Sequence, residues 1–515
     1  MAKAREQWGS RVGFIFAAAG SAIGLGNIWR FPYTAYEAGG GTFLIPYIVA
    51  LLAAAIPLLL LEYSVGHKFR SSPPLAFRKL ARSMEPVGWW QMAICAVIAC
   101  YYAVIVAWAI RYVFFSLGLN WNDAPDTETF FADFLHAGAP GEAPSMVLGV
   151  AVPAALVWLI TLVVLALGIR KGIEIANRIF IPLLVVIFGF LVVWSLTLDG
   201  AVEGLNAFFT PEWNRLLDAD VWLLVFGQLF FSLSIGFGIM VTYSSYLRRK
   251  ADLSGSGLVV AFSNSSFEIL AGIGVFAALG FMATSQGTTV GEVVEGGVGL
   301  AFFSFPAIVS ELPFGSIGNG LFGALFFASL VIAGFTSLIS IVQVVVSSIQ
   351  DRLGLGRVAA VALVGVPMAV VSVSVFSSSQ GLNLLDVVDH FINHYGVVFA
   401  GLVSVVLVAW VYRRLPQLRN HVNESSSFRL GRCWMITLTV LTPIGLGAVL
   451  ITSLIAELDA PYGDGAFSNE FLFWAGWVVA GGALLFGLLM ALIPWRNADH
   501  INVEPARAES KEERR

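Results

Sequence analysis

Runs of about twenty apolar residues recur along this chain, and that recurrence limits its fold more than any other feature. A helix of roughly 20 residues crosses a ~30 Å hydrocarbon layer. The runs lie near 11–36, 42–66, 89–117, 147–168, 177–198, 220–246, 255–284, 319–350, 357–376, 383–412, 433–456 and 470–494. Only 12% of residues are charged and mean hydropathy is +0.82, whereas a soluble domain carries about 25% charged residues. The expected class is an all-α integral membrane protein of twelve transmembrane helices in a lipid bilayer.

The charge pattern orients those spans. Lys3, Arg5 and Arg11 precede the first; Lys68, Arg70, Arg78, Lys79 and Arg82 follow the second; Arg170, Lys171, Arg248, Arg249, Lys250, Arg352, Arg357, Arg413 and Arg414 mark alternate loops. The other loops are acidic, with Asp123, Asp126, Glu128, Asp133 and Glu142 in one and Glu457, Asp459 and Asp464 in another. The positive-inside rule places both termini in the cytoplasm, as an even span count requires. Residues 1–10 are polar and the apolar stretch after them is too long and too polar in its middle for a signal peptide, so none is expected. Cys95, Cys100 and Cys433 lie in or beside spans and read as packing residues. Residues 495–515 are expected to form a disordered cytoplasmic tail.

Backbone inside lipid must satisfy its own hydrogen bonds, so an interrupted helix is tolerated only where it is buried or lines a cavity. Two spans carry such interruptions. Gly20-Ser21-Ala22-Ile23-Gly24-Leu25-Gly26-Asn27 sits in the first, and Ser232-Leu233-Ser234-Ile235-Gly236-Phe237-Gly238 in the sixth. Ala22 to Gly26 and Ser234 to Gly238 share one pattern five spans apart, so the two copies enter the membrane from opposite sides. That is the inverted-repeat arrangement of secondary transporters. A Gly-x-x-x-Gly packing motif accounts for one such segment but not for two in corresponding positions, and no strand precedes either, as a nucleotide loop requires.

From Trp8 to Pro32 the chain resembles the first helix of the neurotransmitter:sodium symporter family. The resemblance continues through Glu37, Gly39-Gly40-Gly41, Tyr101-Tyr102, Gly172 and Pro182, span six, Asn264, Ala333 to Ser337, and Asp389. It implies a 5+5 inverted repeat (the LeuT fold) with helices 1 and 6 broken. Residues 11–198 and 220–412 would form the repeats, 413–494 the last two helices, and 1–10 a cytoplasmic gate segment.

The resemblance also implies a ligand set. One sodium ion would be held by Ala22, Asn27, Ser232 and Asn264, and a second by Gly20, Ile23, Ala333, Thr336 and Ser337. These are oxygen donors, many from unwound backbone, as a hard cation prefers. The substrate would contact Ser21, Ala22, Gly24, Leu25, Gly26, Ile98, Tyr102, Phe231, Ser232, Ser234, Phe237, Ser337 and Ile341. Tyr102 and the free amides at Leu25 and Gly26 would hold a carboxylate. Relatives that carry monoamines have an aspartate where this chain has Gly24, so the substrate should bring its own carboxylate. Ile98 and Ile341 narrow the apolar side, which suits a small to medium neutral amino acid such as alanine, valine or leucine. Ser21 replaces the asparagine of the family's bacterial archetype.

The same resemblance assigns Arg30 and Asp389 to an outer gate, and Arg5, Trp8, Tyr246 and Asp351 to an inner one. Glu268, near Tyr47, Gln228 and Ser232, stands where chloride-dependent relatives have serine. Chloride-independent transport with possible proton counter-transport through Glu268 is therefore expected, in a bacterial inner membrane. A binding-only sensor, a channel and an enzyme fit the sequence less well: two gates argue against a channel, and no metal triad or nucleophile elbow is present. No nucleic-acid partner is expected, and oligomeric state is not legible.

Overall fold

The computed structural model describes residues 5–140, 142–294 and 296–495; the tail expected at 495–515 lies, after its first residue, outside them. Its elements are helical. We label α1 (Arg11–Ala22), α2 (Leu25–Ile28), α3 (Arg30–Glu37), α4 (Gly41–Phe69), α5 (Pro73–Leu80), α6 (Arg82–Gly118), α7 (Leu148–Ala166), α8 (Ile169–Ser195) and α9 (Ala201–Phe209). Then follow α10 (Ala219–Ser232), α11 (Ile239–Ser244), α12 (Leu253–Gln286), α13 (Leu300–Glu311), α14 (Gly315–Leu353) and α15 (Arg357–Phe376). The last four are α16 (Gly381–Val411), α17 (Leu415–Asn423), α18 (Arg432–Asp459) and α19 (Asn469–Leu492).

Among the described residues, 10 helices are long and apolar enough to cross a membrane; α1, α10 and α13 are shorter apolar helices. Burial is graded across the bundle. The central α6 and α14 pack along each other and bury most of their residues, whereas α7, α15, α18 and α19 expose rows of Leu, Ile and Val. Outward apolar bands this extensive mark a surface that sits against hydrocarbon.

Helix ends follow local chemistry. Ser10 caps α1, its hydroxyl accepting from Gly13 N. Asp252 caps α12 by accepting from Gly255 N at 2.9 Å. Helix α1 stops at Ala22 and α2 begins at Leu25; residues 233–238 lie between α10 and α11 without helical structure. There Gly236 and Gly238 have φ of +88° and +73°, and Ser234, a residue with a side chain, has φ +53°. Left-handed backbone costs an L-residue about 1–2 kcal/mol, offset here by Ser234 Oγ donating to Ser21 O at 2.9 Å. The freed amide of Gly236 donates to Glu62 Oε1 at 2.8 Å. Sequence periodicity gave no reason to expect α5, α13 and α17, short helices that cover span ends.

Candidate functional site

The gap between α1 and α2 faces the gap between α10 and α11, and a cavity of about 420 Å³ opens between them. Ser21, Ala22, Gly24, Leu25, Gly26, Ile98, Tyr102, Phe231, Ser232, Ser234, Phe237, Ser337 and Ile341 all line it. Ser337 and Tyr102 close in on Gly24, where a Cβ would lie 2.9 Å from Ser337 Oγ and 3.2 Å from Tyr102 Oη, so only a residue without a side chain leaves both hydroxyls in place. The Leu25 amide points at Tyr102 Oη, 3.4 Å away. A helix N-terminus and a phenol thus converge on one small polar space, which suits a carboxylate. Ile98, Phe237 and Ile341 close the apolar side and are buried.

Beneath this space lies a chain of buried amides and hydroxyls. Asn27 Oδ1 accepts from Gly24 N at 3.0 Å, and Asn27 Nδ2 donates to Asn264 Oδ1 at 2.8 Å. Asn264 Nδ2 donates in turn to Ser232 Oγ at 2.5 Å. One turn further along α12, Glu268 is fully buried. It accepts from Gln228 Nε2 at 2.8 Å, from Asn264 Nδ2 at 3.4 Å and from Tyr47 Oη. Asn27, Ser232 and Asn264 are therefore brought together, with Glu268 directly behind them.

Of the second proposed set, Ser337 on α14 is brought against Gly20 on α1, Thr336 and Ala333 lie on the same stretch of α14, and among the described residues no hydrogen bond ties Ile23 to them. Ser337 Oγ lies 3.4 Å from both Gly20 O and Ser21 O, and Thr336 Oγ1 donates to Ala333 O at 3.0 Å. Gly20, whose carbonyl belongs to that set, ends against α8.

The two candidate gates differ. Arg5 donates to both Asp351 oxygens at 3.0 Å and to Ser245 Oγ, and its guanidinium lies 4.7 Å from the Tyr246 ring centre. Trp8 Nε1 donates to Tyr243 O at 2.9 Å. This end is shut. Arg30 and Asp389 line the cavity but do not form an ion pair with each other. Arg30 lies 4.6 Å over the Phe231 ring, while Asp389 accepts from Tyr101 Oη at 2.6 Å and Asn393 Nδ2 at 2.8 Å. The cavity continues past them to Glu37, His390 and Tyr462.

Several partners in these networks were not anticipated. Gln343 donates to Tyr246 Oη and accepts from Arg357, which pairs with Glu6 at 3.0 Å, extending the shut gate. At the open end His390 meets Glu457 at 3.1 Å and stacks on Tyr462. A polar residue at helical spacing from a gate residue signals such a partner only weakly, since most such residues cap their own helix.

Comparison with known proteins agrees with this geometry. A family model described as "Sodium:neurotransmitter symporter family" matches residues 5–133 and 127–498. The chain belongs to that family. It is 40% identical over 459 residues to an uncharacterised sodium-dependent transporter of Methanocaldococcus jannaschii, covering 89% of this chain and 92% of the relative. It is 30% identical to a sodium- and chloride-dependent GABA transporter of Drosophila melanogaster, covering 94% of this chain but only 55% of that longer protein. Among solved structures, MhsT in complex with L-phenylalanine matches with a TM-score of 0.74 and 31% identity, covering 87% of this chain and all of that one. The chain is thus a multi-pass membrane transporter of a sodium-dependent family, with the fold of MhsT, and not an enzyme.

Proposed function

We propose that this chain is a sodium-coupled symporter that imports a small to medium neutral amino acid, with two sodium ions per substrate, by alternating access. Twelve spans in a 5+5 inverted repeat carry it: 11–198 and 220–412 as the repeats, 413–494 as the closing pair, and 1–10 as the inner gate segment. The first and sixth spans are each broken, α1–α3 and α10–α11 being their halves. Both termini face the cytoplasm from a cell membrane.

The observation that carries this reading is the convergence of Tyr102 Oη, Ser337 Oγ and the Leu25 amide on the cavity beside Gly24. A carboxylate placed there reaches the Asn27–Asn264–Ser232 cluster and completes an oxygen shell for the first sodium. The amino-acid ligand named for MhsT supports a substrate of this class. Ile98 and Ile341 favour a smaller side chain here, though one methylene is worth only ~1–3 kcal/mol.

Glu268 supports chloride independence. Its carboxylate occupies the place behind the sodium cluster where a mobile anion would otherwise balance charge, and it can return protonated once sodium has left. The decisive experiment is uptake of radiolabelled alanine, valine and leucine into proteoliposomes under an inward sodium gradient, with and without chloride. Wild-type uptake should need sodium alone, and Glu268→Ser should need chloride as well. Chloride-independent uptake by Glu268→Ser would sink the charge-balance role.

A further inference from the structure

Helix α1 meets α8 through glycines. A Cβ on Gly13 would lie 2.1 Å from Glu174 Oε1, and one on Gly20 would lie 2.2 Å from Asn177 Oδ1. Glu174 and Asn177 are three residues apart, so they share one face of α8. Their hydrogen bonding differs. Glu174 accepts from Gly9 N at 2.7 Å and Ser10 Oγ at 3.2 Å, and pairs with Arg178 at 3.3 Å. Asn177 is 0% exposed, and its Nδ2 donates to Ile173 O at 2.9 Å, which fixes the orientation of the amide. Among the described residues no protein group donates to its Oδ1.

A buried acceptor without a donor is costly, and an apolar side chain of the same shape would avoid that cost. The oxygen therefore calls for another account. It is aimed at Gly20, whose carbonyl is one of the oxygens we assign to the second sodium ion. The groove between α1, α8 and α12 is mostly apolar, lined by Ile15, Ile23 and Phe262, with Ser263 and Ser266 on α12 its hydroxyls. Along the Asn177–Glu174 face, by contrast, oxygen follows oxygen toward the Arg5 end.

We propose that Asn177 Oδ1 is a transfer ligand for the sodium ion leaving the second site. It takes the cation, or the first water that hydrates it, as the Gly20 carbonyl lets go. A neutral amide oxygen suits a transfer step: it replaces one ligand without adding the charge that would retain the ion. Helix α8 is built to loosen here, because its first turn, Ile169–Ile173, is a wide π turn and Pro182 removes a ladder bond beyond. The proposal rests on the two-sodium reading above.

The test separates equilibrium binding from turnover. In Asn177→Leu, sodium-dependent thermal stabilisation by the transported amino acid should keep its sodium midpoint within about twofold. Initial uptake into sodium-free proteoliposomes should fall at least about tenfold. Asn177→Ser, which can hold a bridging water, should recover part of that rate. Asn177→Asp should lower the sodium midpoint and slow turnover, because a charged ligand retains the ion. A packing role alone would move thermal stability and uptake together and leave the sodium midpoint of Asn177→Asp unchanged, which overturns the proposal. So does wild-type uptake by Asn177→Leu with normal binding, and then the symporter reading stands. Absence of sodium-dependent binding in the wild type defeats that reading and this one with it.

Discussion

At single positions, function here depends on atoms that are missing as much as on those present. Gly24 has extended backbone, with φ −119°, so any residue could adopt its conformation. What glycine supplies is the close approach of the Ser337 and Tyr102 hydroxyls, which a Cβ would push aside. Gly24→Ala should therefore fold normally yet weaken amino-acid binding at least tenfold, about 1.4 kcal/mol, measured by calorimetry at saturating sodium. Unchanged affinity would mean that the carboxylate sits elsewhere. Ser234 is the converse case, where backbone strain is held by the bond from Oγ to Ser21 O. The glycines, Asn27, Asn264 and Glu268 were legible in the sequence because a polar or helix-breaking residue within an apolar run needs a reason. Asn177 was not. Its carboxamide looks like any other until the structure places one end on Ile173 O and leaves the other without a donor.

At the scale of elements, span positions were readable because hydrophobicity is averaged over twenty residues, and nearly all the expected spans overlie helices of this structure. Short helices such as α17 escaped, since nine polar and apolar residues carry too little periodic signal. Yet α17 sets a condition on stability. His67 Nε2 meets the Arg248 carbonyl at 2.8 Å, so that nitrogen carries the proton. His67 Nδ1 must then accept from His421 Nε2 at 2.9 Å. On α17, burial first, and then the neighbouring His67 and Lys68, push the His421 pKa down to about 4. An unfolded histidine titrates near 6.5. The unfolded chain thus binds the extra proton first, and stability present above pH ~6.5 is lost as pH falls toward ~4. The thermal midpoint of purified protein should drop between about pH 7.5 and 5, and His421→Asn, which can still donate to His67, should drop less. Equal slopes for the two would remove His421 from the account.

Across the whole molecule, one end is bonded shut while the cavity runs toward the other, which fits a carrier waiting for substrate from outside. The sequence marked candidate gate residues but could not give this state, because the proposed gates would serve both conformations. Arg5 is anchored by Asp351, which also accepts from Ser72 N at 2.7 Å. Removing that carboxylate with Asp351→Ala should shift the population inward. The expected reading is a loss of amino-acid affinity of tenfold or more, with increased thiol reactivity of a cysteine placed near Tyr243. Coupling to voltage follows from the same architecture. On the two-sodium proposal, entry with a zwitterion carries two charges, worth ~4.6 kcal/mol per 100 mV, which can concentrate substrate by ~10³. If Glu268 carries a proton out on the return, net charge falls to one and the electrical contribution halves. Accumulation in proteoliposomes clamped at fixed potential, with equal sodium on both sides, should then rise about fiftyfold per 50 mV for Glu268→Gln. For the wild type it should rise about sevenfold over the same step. Equal voltage sensitivity in the two proteins would show that Glu268 moves no proton.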